Sequence, residues 1–390
     1  MLITACERSK APFSTDDYLH VIDLNKIEAE VKFSELFASV TPIVLETTKN
    51  SLIGMITKVV ATDEYIIVCD RMTANALFIF RKDGTFLHKF GHIGNGPGEY
   101  SSIADFCYDE ATSTIYMLDL HTNRVNIYDI HTGSFLKSIR LRNHNGYSRR
   151  IYYHGGELYT DLGNFTNENW RYLLNKRNQE TGYIEESWFD FETYSKNIDY
   201  TDTKSFLFSD SSSFKFRTFF MDGIMLFEKG KTTPFLAFTP EYTLNMGDLE
   251  KLDGDLKSFN YEFFSQLNNV PKVSEIFAYF EHKDLILTTF FLGGLKMVIY
   301  NQKTRNAKYV NLFDDLMYKK YNEDFFQYPS QFIAQDDKGL YATQNLQTPS
   351  NIKKVLENDL ISENFKSTAI ELANLEEDAN PILLYYEFKE

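Results

Sequence analysis

Two aspartates close similar apolar runs in this chain, Asp70 after YIIVC and Asp119 after TIYML. Carboxylates that recur at one structural position can hold a divalent cation, or they can accept hydrogen bonds from the turn that follows. With the residue in only two of the repeats described below, the turn is the better reading. A second candidate is GHIGNGPGEY (91–100), four glycines and a proline ending on Glu99 and Tyr100. A phosphate cradle would need Gly-Lys-Ser/Thr and a following helix, and a dinucleotide loop a strand before and a helix after. Neither context is present, so the loop reads as a chain crossing that uses glycine for positive φ and Pro97 for stiffness. Glu99 and Tyr100 would lie near an axial opening and are candidate ligand contacts.

The remaining chemistry-bearing residues do not assemble a site. The eight histidines contain no HExxH, and His88 and His92 bracket a strand end, where a spacing of four does not converge. SFLK (134–137) matches SxxK, but its repeat counterpart is TFLH, so the match is chance. No GxSxG occurs, and LDGDLKS and EEDAN lack the spacing of a calcium loop. Cys69 and Cys107 sit in apolar runs without CxxC spacing and read as buried thiols. Trp170 and Trp188 could stack on a sugar ring or pack a core, and the core is favoured. The expectation is no catalytic set, no metal and no cofactor.

A formal charge of −15 opposes nucleic acid and anionic lipid surfaces, whose recognition rests on lysine and arginine. The most basic segment, SIRLRNHNGYSRR (138–150), reads as a solvated loop. No run approaches the roughly 18 apolar residues that cross a bilayer. ITAC (3–6) has the pattern of a bacterial lipobox, which makes Cys6 a candidate for acylation, with ERSKAPFSTDD as its tether. Five residues before Cys6 are too few for a signal peptide, so this reading requires a start further upstream.

The elements that would position these residues follow from a repeat. Residues 56–91 lie over 105–140 at an offset of 49 without a gap: Ile66 meets Ile115, Asp70 meets Asp119, Gly84 meets Gly133 and Phe86 meets Phe135, while the aromatics Phe80 and Tyr128 that end the third strands lie 48 apart. Each copy holds three or four short strands punctuated by turn residues, the signature of propeller blades. Weaker copies begin near residues 150, 214, 276 and 331, and PILLYYEFK (381–389) completes the last. YLHVIDL (18–24) is expected to pair with that last blade and so remove a sheet edge. Helical spacing appears in 247–267, 312–326 and 350–378, as insertions between the later blades. The predicted fold is all-β, a six-bladed β-propeller over residues 18–390 behind a tether of residues 1–17.

DLHTNRVNIYD (119–129) resembles the NHL repeat, in which Asp-x-x-x-Asn-Arg-Val/Ile leads into a strand. The first copy departs from it, with Ala76 where the arginine would be. GHIGNGPGEY and EEDANPILLYYEFK are similar to the six-bladed lipoproteins of Bacteroides-type bacteria. The resemblance implies an NHL-like propeller lipid-anchored in the bacterial cell envelope. Arg124 of the motif joins Glu99 and Tyr100 as a candidate ligand contact. The expected function is a monomeric, non-enzymatic binding or scaffold module whose axial polar face meets a glycan, peptide or protein. The alternative is a metal-assisted lyase or hydrolase with ligands around the axis.

Overall fold

The computed structural model describes residues 14–142, 148–161, 172–190, 206–209, 212–217, 221–244, 248, 266–267, 269–321, 331–343 and 348–390. Its strands sort into six antiparallel meanders, the blades of a six-bladed β-propeller. Blade 1 comprises Lys58–Ala61, Tyr65–Asp70, Ala76–Arg81 and Phe86–Phe90; blade 2 comprises Ile103–Asp109, Thr114–Asp119, Arg124–Asp129 and Phe135–Arg140. Blade 3 is Ile151–His154, Glu157–Asp161, Tyr172–Arg177 and Ile184–Asp190. Blade 4 is Phe206–Ser209, Ser213–Phe216, Gly223–Glu228 and Lys231–Phe238. Blade 5 is Ile276–His282, Leu285–Phe291, Leu295–Asn301 and Ala307–Val310. Blade 6 takes Gln331–Gln335, Gly339–Thr343 and Ile382–Phe388 from the C-terminal part and its outer strand, Phe37–Val44, from the N-terminal part.

The chain groups into two compact units, Met1–Ile27 with His92–Ala307 and Glu28–Gly91 with Lys308–Glu390. In the first, Tyr159, Phe189, Phe214, Phe216 and Phe227 form an aromatic core with Trp188 packed against it. In the second, Val59, Ile66, Val68, Phe78 and Phe80 of blade 1 pack against Ala334, Tyr341 and Leu383 of blade 6. Second and third strands are covered on both faces, which is why YIIVCD and ALFIF are continuous apolar runs. Each fully buried phenylalanine contributes about 1.5–3 kcal/mol, so stacking is what makes a small sheet stable.

Backbone geometry explains the repeat's punctuation. Asn75 and Asn123 take φ of 45° and 51° in the turn after the second strand, a conformation asparagine tolerates better than most residues. Gly84 and Gly133, in the next turn, take 89° and 68°, and a side chain on Gly84 would strike the Val44 carbonyl. The gapless register does not survive. Ala61 faces Ile66 while Tyr108 faces Ile115, so the first hairpin of blade 2 is longer by two residues. Asp70 faces Ala76 while Asp119 faces Arg124, so the following turn is shorter by one. Phe80 and Tyr128 thus correspond at an offset of 48, and the next turn, one residue longer in blade 2 (Tyr128 faces Phe135 where Phe80 faces Phe86), restores 49 in the fourth strands.

The N-terminal segment also differs from the expectation. His20–Ile22 pairs in parallel with the outer strand of blade 4, not with the last blade. Glu30–Val31 pairs in parallel with Tyr309 and Val310, and Phe37–Val44 then pairs antiparallel with Ile382–Phe388 to complete blade 6. A three-residue strand such as HVI fits many edges, whereas the eight-residue strand buries Phe37 against Phe33, Phe332 and Tyr386 and wins the long edge.

Helices Pro349–Glu357 and Lys366–Ala373 form within the expected 350–378 insertion, between the second and third strands of blade 6. The first is capped by Thr348 with Pro349 in its opening turn. Residues 312–321 form turns rather than the expected helix, and 322–330 lie outside the described residues. So do nearly all of 247–267, Trp170, and residues 1–13 with Cys6.

Candidate functional site

Each blade has an upper end, where its first strand starts and its second strand finishes. There the two sequence-identified aspartates are buried and fully engaged. The Asp70 carboxylate accepts from the backbone N–H groups of Gly54 (2.7 Å), Met55 (3.1 Å) and Thr73 (2.8 Å). Asp119 accepts from the N–H (2.9 Å) and hydroxyl (2.5 Å) of Ser101 and from the N–H of His121 (3.1 Å). The segments they grip lead into the first strand of their own blade, so each carboxylate ties the start of a blade to its second strand.

A third member of the set is Asp161, which ends GELYTD in blade 3 as Asp119 ends TIYMLD. Its carboxylate accepts from the N–H groups of Arg149 (2.9 Å) and Arg150 (2.8 Å), just ahead of Ile151. The electrostatics of the two clamps diverge. Burial pushes the Asp119 carboxyl up, but the Ser101 hydroxyl and the surrounding N–H donors outweigh it, and its pKa falls below the usual range. For Asp161 burial dominates, with the nearby Asp105 carboxylate adding to it, and the pKa rises to about 6.

Beside Asp161 stands a residue the repeat did not predict. The position before the third-strand turn is Phe80 in blade 1, Tyr128 in blade 2 and Tyr300 in blade 5, and in blade 3 it is Arg177. Its Nε donates to the Thr160 hydroxyl at 2.8 Å, and burial lowers its pKa to about 9 against the pull of Asp161. An arginine in an aromatic register is a signal available from the sequence.

GHIGNGPGEY resolves into a self-contained turn. His92–Ile93 pairs in parallel with Glu99–Tyr100, and the Glu99 carboxylate accepts from the Gly96 N–H of its own loop at 2.7 Å. The Glu99 carbonyl accepts from the Asn126 amide (3.0 Å), and the Gly98 carbonyl accepts from the Tyr128 hydroxyl (2.9 Å). Tyr100 is buried. Arg124 is exposed at the start of its strand, and no hydrogen bond or ion pair joins it to Glu99. Of the three candidate ligand contacts, Glu99 and Arg124 are exposed and Tyr100 is not. Trp188 packs edge-on against Phe227 at 4.9 Å, and Cys69 and Cys107 are buried and not joined in a disulfide. Among the described residues, no group of three His, Cys, Asp or Glu side chains is placed to hold a metal ion.

With this geometry, the family described as "Domain of unknown function (DUF4934)" matches residues 19–387. The chain belongs to the DUF4934 family. The fold of this DUF4934 chain is shared by a candidate exported protein of Bacteroides fragilis NCTC 9343, with a TM-score of 0.74, 16% identity, 95% of this chain covered and 100% of the other. A member of the DUF4221 family from Bacteroides vulgatus ATCC 8482 superposes with a TM-score of 0.54 at 12% identity, covering 91% of this chain and 98% of its own. No curated protein matches the sequence.

Proposed function

We propose that this chain is a binding or scaffold module of the bacterial cell envelope, held by an N-terminal lipid on Cys6, and that it presents the upper ends of its blades to a peptide or protein partner. The observation that carries this reading is the use of Asp70, Asp119 and Asp161. Each of these carboxylates holds backbone N–H groups of the segment that enters its own blade. With three or more donors each, the Asp70 and Asp119 carboxylates have few lone pairs left for a cation. The NHL-like turn is accounted for by the positive φ of Asn123. The description of the similar Bacteroides fragilis structure as a candidate exported protein supports an envelope address.

The test combines metal analysis of the purified chain with binding screens against glycan and peptide arrays. The reading expects metal-free protein and saturable binding without turnover. Stoichiometric calcium or zinc, with loss of metal on substitution of Asp119 or Asp161, would replace it with the metal-assisted lyase or hydrolase.

A further inference from the structure

The second strands of blades 1, 2 and 3 end on aspartates, but in blade 4 the second strand, Ser213–Phe216, runs directly into Arg217. Arg217 is only 8% exposed, and it lines a cleft at the upper end of the blade. Asp222, half-buried just ahead of the third strand, lines the same cleft. The walls are apolar. Phe238 ends the outer strand of blade 4, Leu244 follows it, and Val273 and Ile276 lead into blade 5. A parallel bridge between Thr243 and Val273 joins these two segments, with the Val273 N–H donating to the Tyr242 carbonyl at 2.8 Å. Out to its mouth the cleft measures about 310 Å³, while its closed part has room for little more than one water-sized group. Only a small end group enters, and the body of a ligand stays in the mouth.

The two charges in this cleft are not matched within the fold. Among the described residues, no hydrogen bond or ion pair engages the Arg217 guanidinium or the Asp222 carboxylate, although each lies in the other's field. Burial lowers the pKa of Arg217 against the fields of Glu275, Tyr18 and Asp222, and it raises that of Asp222 to about 6 against the pull of Arg217. A guanidinium taken out of water without an acceptor costs stability that a bound acceptor returns. The residue types then define the ligand. A guanidinium pairs with a carboxylate through parallel N–H donors, and the more exposed Asp222 accepts from a nitrogen. An α-carboxylate and its α-nitrogen sit on one carbon, and an apolar side chain on that carbon meets Phe238, Leu244, Val273 and Ile276. We infer that the cleft at the upper end of blade 4 binds an α-carboxylate with its α-nitrogen, the group shared by a free apolar amino acid and the C-terminus of a peptide, with Arg217 holding the carboxylate and Asp222 the nitrogen. This rests on the binding-module reading and names a ligand for it.

The test is isothermal titration calorimetry and thermal melting of the intact chain with L-leucine, the tetrapeptide Ala-Ala-Ala-Leu and the same tetrapeptide amidated at its C-terminus. Leucine or the peptide acid should bind saturably and raise the melting temperature, and amidation should weaken peptide binding by about tenfold or more. Leucine binding as tightly as the peptide acid assigns the cleft to free amino acids, and tighter binding of the peptide acid assigns it to chain ends. Arg217→Met removes an unmatched buried charge at similar volume, so it should melt at or above the parent without a probe and lose about tenfold or more in affinity with one. Asp222→Asn, at a half-buried position, is the independent second variant and should weaken leucine by about tenfold. No binding of either acid, or equal binding of the amidated peptide, would overturn the proposal. So would an Arg217→Met variant that melts far below the parent with no probe present, because the guanidinium would then be matched within the fold. Acids that bind both variants as tightly as the parent would sink this cleft while leaving the binding module standing. Bound metal with turnover would sink the module itself.

Discussion

Replacing Asp161 by Asn tests whether two look-alike clamps carry opposite charge energetics. Asparagine approximates the protonated carboxyl and keeps an oxygen for the Arg149 and Arg150 N–H groups. The native carboxyl titrates at about 6 because burial penalises its charge, against a reference of 3.8. A group raised in the folded state favours folding only when protonated, so native stability is lost as pH rises from about 4 to about 6 and stays lost above. Roughly two pKa units correspond to about 3 kcal/mol. Asp161→Asn should therefore be as stable as the parent near pH 4 and more stable by up to about 3 kcal/mol at pH 7.5. For Asp119 the folded pKa is depressed, so its ionised form stabilises the fold above the unfolded pKa and that contribution disappears as pH falls below it. Asp119→Asn should lose about 1–3 kcal/mol at neutral pH and converge with the parent only in strong acid. Urea denaturation of parent and both variants between pH 4 and 8 reads these differences. An Asp161→Asn variant less stable than the parent at pH 7.5, with a gap that narrows toward pH 4, would refute the argument, since the charged form would then be the favoured one.

Other expectations follow from single contacts. Gly98→Ala places a methyl 2.7 Å from Phe135 at φ +74°, so it should lower the melting temperature by an amount equivalent to about 1–3 kcal/mol. Phe37→Ala removes a buried ring from the strand that completes blade 6 and should cost about 3–5 kcal/mol in chemical denaturation. Lys215 lies 3.0 Å from Glu281, which also accepts from the Tyr279 hydroxyl, and both charges are largely buried. Lys215→Met should cost about 3–5 kcal/mol, and adding Glu281→Gln should recover part of it in a double-mutant cycle.

Much of the architecture is legible because its signals are local. Asn123 and Gly133 mark turns that need positive φ, and the continuous run YIIVC marks a strand covered on both faces. Glu99 was less legible: a glycine-rich loop ending on a carboxylate suggests a ligand, yet the carboxylate closes the loop on itself through Gly96. The strand that completes blade 6 carried a readable mark in Pro42, which paired strands accept only at an edge. Asp161 and Arg177 were also within reach, as a third strand-ending aspartate and an arginine in an aromatic column.

The order of turns, the period of the blades and the buried strand faces belong to the sequence alone, because each depends on residues adjacent in the chain. Which sheet edge each N-terminal strand covers, which clamp pays a desolvation penalty and which apolar side chains remain in water were decided by tertiary structure. Those outcomes depend on groups far apart in sequence, such as Asn380 beneath Ser51 and Asp105 beside Asp161, and on how much solvent the packing removes from each.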